Sequence, residues 1–255
     1  MRMEDLSIKN LHMHFSGVRA LDGVSFTVKK GEIFSLIGAN GSGKSTLFNC
    51  INRYCVPHEG SIHYNGTNIL NLQPHNVVDI GIARTFQNLQ NVPYMTLLDN
   101  VLLGAHNRLS TSDTFKRWLS RKEREREESM ALEVMSFLGI DNFEAKYLSG
   151  QPYAIQKLVE IARALISKPK LILLDEPAAG MNDQETLEIG KIILEIRDIL
   201  GITVLLVEHD MNLVMKISDR ICVLESGKII VKGDPKTVKE HPDVIRSYLG
   251  DNVYA

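Results

Sequence analysis

The run Gly38-Ala39-Asn40-Gly41-Ser42-Gly43-Lys44-Ser45 has the spacing GxxxxGK[ST]. Glycines at these places let the backbone curl so that several N–H groups converge on one anion. A helix starting at Lys44 adds the positive end of its dipole. The chemistry this suits is binding the phosphates of a nucleotide. Lys44 would reach the terminal phosphates and Ser45 would offer its hydroxyl to Mg²⁺. Asn40, Gly41, Ser42, Gly43 and Thr46 complete the candidate phosphate-binding set. Much further along, Leu171-Ile172-Leu173-Leu174 ends in Asp175 and Glu176. An acid at the end of such a strand, like Asp175, can stand near the metal. The next one, Glu176, can polarise a water in line with the terminal phosphate, which requires an ionised carboxylate. His209 follows a second apolar run, in LLVEHDM, where it can contact the terminal phosphate and orient the same water.

These groups need a scaffold that brings several strand ends together. IFSLI before the glycine loop reads as a strand and STLFNCI after it as a helix. LILLDE and TVLLVEHD are continuous apolar runs, the kind buried on both faces of a parallel sheet, and LILLDE is expected to lie beside the phosphate-loop strand. Between them DQETLEIGKIILEIRDIL spaces its apolar residues as an amphipathic helix. Upstream, Leu6–Phe15 and Val24–Val28 read as short strands, with turns expected at Ser16-Gly17 and Asp22-Gly23; GSIHYNG reads as another strand ending in a turn. From Leu97 to Leu138 the pattern is helical. It includes the charge run Ser120–Ser129, expected to be a solvated face laced by i,i+4 ion pairs, with Trp118 packing that helix to a neighbour. The tail reads as two short strands about Ser226-Gly227, then helix starts at Pro235 and Pro242.

Composition narrows the function classes. The 255 residues and 44% hydrophobic content suit one large α/β domain, or a core plus one small subdomain. A balance of 29 basic against 31 acidic residues gives no global basic field for nucleic acid. Cys50, Cys55 and Cys222 lack metal-ligand spacing and read as reduced thiols used in packing; Cys50 and Cys55 are the alternative redox pair. No apolar run approaches the ~20 residues of a membrane span, and MRMEDLSIKN has no leader-like apolar region. A membrane role would therefore come through a partner.

Together these residues, in this order, resemble the ATP-binding subunit of an ABC transporter over nearly the whole chain. GIARTFQN, TLLDNVLLGAH, DEPAAGMN and LLVEHDMNLVMKISDRICVLESGKII are similar to the ATPases of branched-chain amino acid importers. The resemblance implies an α/β P-loop fold of ABC type: a mixed-sheet core with an N-terminal antiparallel β subdomain (about 1–96 and 167–255) and an inserted α-helical subdomain (about 97–166). It implies that Phe15 stacks on adenine with Val18 beside it. It also implies that Gln87 touches Mg²⁺ and water and couples to the membrane partner. Gly180, Met181 and Asn182 would belong to the loop that crosses a dimer interface. The implied ligands are ATP and Mg²⁺. The implied partners are a second ATPase subunit, in a heterodimer, two transmembrane permease subunits and, indirectly, a solute-binding protein, with the chain peripheral on the cytoplasmic face of the membrane. Two such subunits sandwich two ATP molecules, and hydrolysis loosens the sandwich. Related urea or amide importers, and soluble ABC ATPases without a membrane partner, are the alternatives. Single ATPase content argues against the soluble class, and intact Lys44, Asp175, Glu176 and His209 argue against a switch that binds ATP without turnover.

The family's signature, LSGGQ ahead of a helix ending in IAR, fits in two registers. LSGQ at Leu148–Gln151 matches the letters, with Ser149 as the serine, but Ile161 then falls thirteen residues after Leu148 where ten is usual. Counting ten back makes Gln151-Pro152-Tyr153-Ala154-Ile155 the signature. Three residues inserted within a helix would rotate the Arg163 face by about 300°, which favours the second register. There Pro152 suits a helix start but offers neither hydroxyl nor N–H to a phosphate. Ala154 would be strained wherever a left-handed backbone is needed. Because the signature acts on the partner's ATP, two unequal sites are expected.

Overall fold

The computed structural model describes residues 4–85, 91–108 and 121–246. Its core is a six-stranded sheet in the order β10-β9-β3-β8-β7-β6. Here β3 is Ile33–Ile37, β6 Ile82–Arg84, β7 Leu171–Asp175, β8 Thr203–Val207, β9 Arg220–Glu225 and β10 Lys228–Gly233. All neighbours are parallel except β9 and β10. Every residue of β3, β7 and β8 is buried, as their unbroken apolar runs require of strands covered on both faces. One expectation is corrected. β7 is not beside β3; β8 lies between them and pairs with both.

A second, antiparallel sheet has the order β2-β1-β4-β5, with β1 Glu4–Phe15, β2 Val18–Lys29, β4 Glu59–Tyr64 and β5 Thr67–Asn68. Ser16-Gly17, Asn65-Gly66 and Ser226-Gly227 all take positive φ at both positions, the two-residue turn whose twist matches a hairpin. Asp22-Gly23, expected as a turn, is not one. β2 runs through it, and the register against β1 shifts between Leu11 and His12, a bulge that Gly23 accommodates at φ 78. The two sheets meet where Phe26 stacks on Phe34 at 5.0 Å and where Arg220, held by Glu32 at 2.6 and 3.1 Å, donates to the Thr27 carbonyl of β2.

The helices are α1 (Lys44–Ile51), α2 (Leu97–Leu102), α3 (Arg121–Phe137), α4 (Tyr153–Leu165), α5 (Asp183–Asp198), α6 (Met211–Ile217), α7 (Pro235–Lys239) and α8 (Pro242–Val244). The stretch read as helical from Leu97 divides: α2 stops at Leu102 and Leu103–Arg108 tightens to a 3₁₀ helix. The charge run lies on α3, where Arg124 and Glu128 pair one turn apart. α2, α3 and α4 bury Leu97, Val101, Ala131, Met135, Val159 and Ala162 among themselves. Gly104 lets the chain after α2 press on α4: a Cβ there would lie 1.9 Å from the Arg163 carbonyl oxygen. Asn182 and Glu185 form a reciprocal capping box at the start of α5. No helix among the described residues is long and apolar enough to cross a membrane. Cys50 and Cys222 are buried free thiols whose pKa burial pushes up to about 12, which suits packing rather than reactivity. Trp118 and Gln87 lie outside the described residues.

Candidate active site

The glycine loop leaves β3 and wraps around its own lysine. Lys44 Nζ donates to the carbonyls of Gly38 at 2.6 Å and Ala39 at 3.0 Å. Burial lowers the Lys44 pKa, opposed by the nearby charges of Glu176 and then Asp175. A Cβ on Gly38 would meet the Leu224 carbonyl at 2.3 Å, and one on Gly43 (φ 110) the Ala20 carbonyl at 2.4 Å, so both positions demand glycine. Backbone bonds of 2.9 Å from Gly227 N–H to the Ser42 carbonyl, and from Asp22 N–H to the Gly227 carbonyl, brace the loop from both sheets. The Ser42 hydroxyl is buried with no hydrogen-bond partner among the described residues. Asn40, Gly41 and Ser45 are exposed on the open side and Thr46 is half-buried. Phe15 and Val18 flank the hairpin tip that leads into Ala20, and are 46% and 67% exposed. Large apolar residues so uncovered at the rim of a phosphate loop offer a flat surface to a base.

Register places the acids. Asp175 on β7 lies opposite Val207 on β8, so Glu176 and His209 emerge from adjacent strand ends. His209 Nε2 and Glu176 Oε1 are 2.6 Å apart. Glu176 holds a left-handed backbone, φ 49, fixed by its N–H bond to the Val207 carbonyl. Strain of this kind at a non-glycine residue costs about 1–3 kcal/mol and gathers at working sites. Asp175 is buried. One oxygen, Oδ2, accepts from Arg84 at 2.8 Å; the other, Oδ1, has no hydrogen-bond partner among the described residues. That orphan oxygen and the Ser45 hydroxyl are the donors a hard, oxygen-seeking ion such as Mg²⁺ takes from protein. Mg²⁺ usually takes one or two protein oxygens and fills its other positions with water and phosphate.

Two residues at this site escaped the sequence reading. Arg84 stood within GIARTFQN without a role. Glu208, next to His209, is buried and accepts the N–H groups of Ala178 at 2.8 Å and His209 at 2.9 Å. It thereby ties the loop after β7 to the end of β8. Desolvation raises its pKa against those bonds.

The stretch before α4 is held elsewhere. Ser149 N–H donates to the Pro93 carbonyl and Leu148 N–H to the Met95 carbonyl, and Leu148 is buried. α4 begins at Tyr153 with extended Pro152 (ψ 148) as its N-cap, so Pro152 lies just before the first turn rather than in it. The helix runs unbroken to Leu165. Ala154 is right-handed within it, so the strain considered for this alanine does not arise. Pro152 and Tyr153 are exposed, and Ala154 and Ile155 half-buried. Of the loop 180–182, Gly180 (φ 78) comes close to Tyr153, Met181 packs partly into the core, and Asn182 spends its side chain on the α5 cap.

A family model described as ABC transporter matches residues 21–179, more than half of the chain. The chain is 38% identical over 250 residues to the high-affinity branched-chain amino acid transport ATP-binding protein LivG of Escherichia coli K12, covering 96% of this chain and 98% of that one. It is 36% identical over 249 residues to BraF of Pseudomonas aeruginosa, with the same coverage. An ATP-binding cassette of an ABC transporter in its ADP conformation superposes with TM-score 0.86 at 35% identity, covering 97% of this chain and 99% of that chain. A nucleotide-free cassette gives 0.84, also at 35%, over 95% and 98%.

Proposed function

The chain belongs to the ABC transporter ATP-binding family, and from that premise we propose that it is the ATP-hydrolysing motor subunit of a branched-chain amino acid importer. The observation that carries the reading is the 2.6 Å contact of His209 with Glu176 at strand ends adjoining the Lys44 loop. The loop amides and Lys44 hold the phosphates, and Phe15 with Val18 holds the base. Glu176 takes the proton of the attacking water as general base. His209 holds that carboxylate in place and reaches toward the terminal phosphate. Asp175, Ser45 and Gln87 would hold Mg²⁺, which when bound neutralises phosphate charge. Glu208, through the Ala178 amide, keeps the 178–182 loop in register with His209.

The unbroken helix from Tyr153 supports Gln151–Ile155 as the signature, with α4 directing its N-terminal amides at the ATP of a partner subunit. Pro152 contributes no donor there, which supports a heterodimer with one weaker site. A crevice of about 400 Å³ between β6 and α4, lined among others by Tyr54, Val77, Leu103 and Arg163, adjoins the segment leading to Gln87. We assign it to a permease segment, a reading that accords with a peripheral position on the membrane's cytoplasmic face.

The test is purification from membranes with its co-purifying subunits, reconstitution, and uptake of labelled leucine and urea. ATP-dependent leucine uptake is expected. Urea uptake alone, or an ATPase that co-purifies with no membrane subunit, would overturn the assignment. Changing Gln151-Pro152-Tyr153-Ala154 to Leu-Ser-Tyr-Gly should raise ATPase activity of the complex; no change would refute the unequal-site reading.

A further inference from the structure

Arg84 is buried at the end of β6, and its guanidinium joins three elements. One nitrogen, NH2, donates to Asp175 Oδ2 at 2.8 Å; the other, NH1, donates to Asn49 Oδ1 at 2.7 Å. Its carbon sits over the Phe48 ring, 5.4 Å from the centroid. Asn49 lies on α1 four residues after Ser45, one helical turn along the same face. The two protein oxygens assigned to the ion, on Ser45 and Asp175, therefore stand on elements tied to one rigid fork. Because Arg84 engages Oδ2, the partnerless Oδ1 is the oxygen left for the ion.

We infer that Arg84 is a positioning residue that clamps Asp175 to α1 and so sets the Ser45–Asp175 gap to the size of Mg²⁺. The inference rests on the metal reading of Asp175 and Ser45 above. Mg²⁺ demands near-ideal octahedral geometry with short bonds, whereas Ca²⁺ accepts variable oxygen arrangements. A gap held by a planar, five-donor fork is a device for the stricter ion. Neutralising Asp175 alone would not need Asn49; a lysine would serve.

The test uses the full chain and binding of the non-hydrolysable analogue AMP-PNP, measured by calorimetry in EDTA and across Mg²⁺ and Ca²⁺ series. Arg84→Lys keeps the charge but cannot span both partners. Asn49→Ala cuts only the α1 arm and leaves the buried ion pair intact. Both should bind the analogue in EDTA as the unaltered chain does and melt cooperatively. Loss of a group orienting a metal ligand costs roughly 10–100-fold in metal affinity. The Mg²⁺ concentration for half the metal-dependent gain should rise by about that factor in Arg84→Lys, and in the same direction for Asn49→Ala. The Ca²⁺ value should move less, a selectivity change that general loosening would not produce. If Asp175→Asn abolishes the Mg²⁺ gain while both variants keep the original Mg²⁺ and Ca²⁺ values, the clamp is overturned and the metal assignment stands. If Asp175→Asn leaves the Mg²⁺ gain intact, the metal assignment falls and the clamp with it.

Discussion

Replacing Glu176 by glutamine preserves the length and volume of the side chain and its backbone at φ 49. It can keep a hydrogen bond to His209, now 2.6 Å from Oε1. What it loses is basicity. A positioned general base contributes about 10²–10⁴-fold, and each tenfold is 1.36 kcal/mol of barrier, so the change should cost about 3–5 kcal/mol. Stability should hardly move, because the left-handed strain and the Val207 bond are common to both side chains. Glu176→Asp keeps a carboxylate one methylene shorter, which cannot span to His209 without moving the strand end. It should lie between glutamine and wild type. His209→Gln tests whether the pair works as a unit. If it does, the double variant should be no worse than the poorer single one. The assay is single-turnover ATP hydrolysis by the assembled complex, with melting curves and analogue binding as controls. A loss below about tenfold for Glu176→Gln, or additive losses in the double variant, would refute the assignment of base and positioner.

Two glycine substitutions separate helix propensity from close approach. Gly190→Ala on α5 meets the tip of the Leu213 side chain at 2.6 Å, which can rotate, so the roughly 1 kcal/mol gained by alanine in a helix should largely survive. Gly104→Ala meets the Arg163 carbonyl at 1.9 Å, a backbone atom, and should lower stability by about 1–3 kcal/mol in urea melts. Asn182→Ala removes the capping box of α5 and should cost about 1 kcal/mol, or about 2–4 °C in Tm by calorimetry. Glu208 has a folded pKa raised above its ordinary 4.5, so its contribution is present in full below that value and is lost as pH rises through the folded one. Glu208→Gln should flatten the stability–pH slope from 4.5 upward in urea titrations.

Local chemistry was readable and long-range chemistry was not. The Lys44 loop is one contiguous stretch folded around its own lysine, so its letters suffice to place it. The strands around Leu173 and Leu205 announce themselves because burial on both faces leaves no polar positions. Their order does not follow from that, and β8 between β3 and β7 had to be seen. Asp22-Gly23 carries turn letters, yet a bulge uses the same letters, and only pairing with β1 distinguishes them. Arg84 touches an acid 91 positions away, so nothing near it in the chain marks the contact. The start of α4 does not follow from the letters LSGQ for a similar reason: it depends on packing and on the 93–96 segment that holds Tyr147–Ser149.

The phosphate loop also has a history written into its neighbours. β3, which carries it, lies between β8 and β9, and its Ser42 carbonyl is held by Gly227, which in turn is held by Asp22. A ribosome delivers the loop early and its lateral supports last. Until the β9–β10 turn has emerged, β3 can pair with β8 and β9 but the loop lacks the brace that Gly227 supplies. Nascent chains stopped before Ser226 should therefore fail to retain nucleotide, and competence for ATP is gained only near the end of synthesis, a built-in delay between translation and turnover.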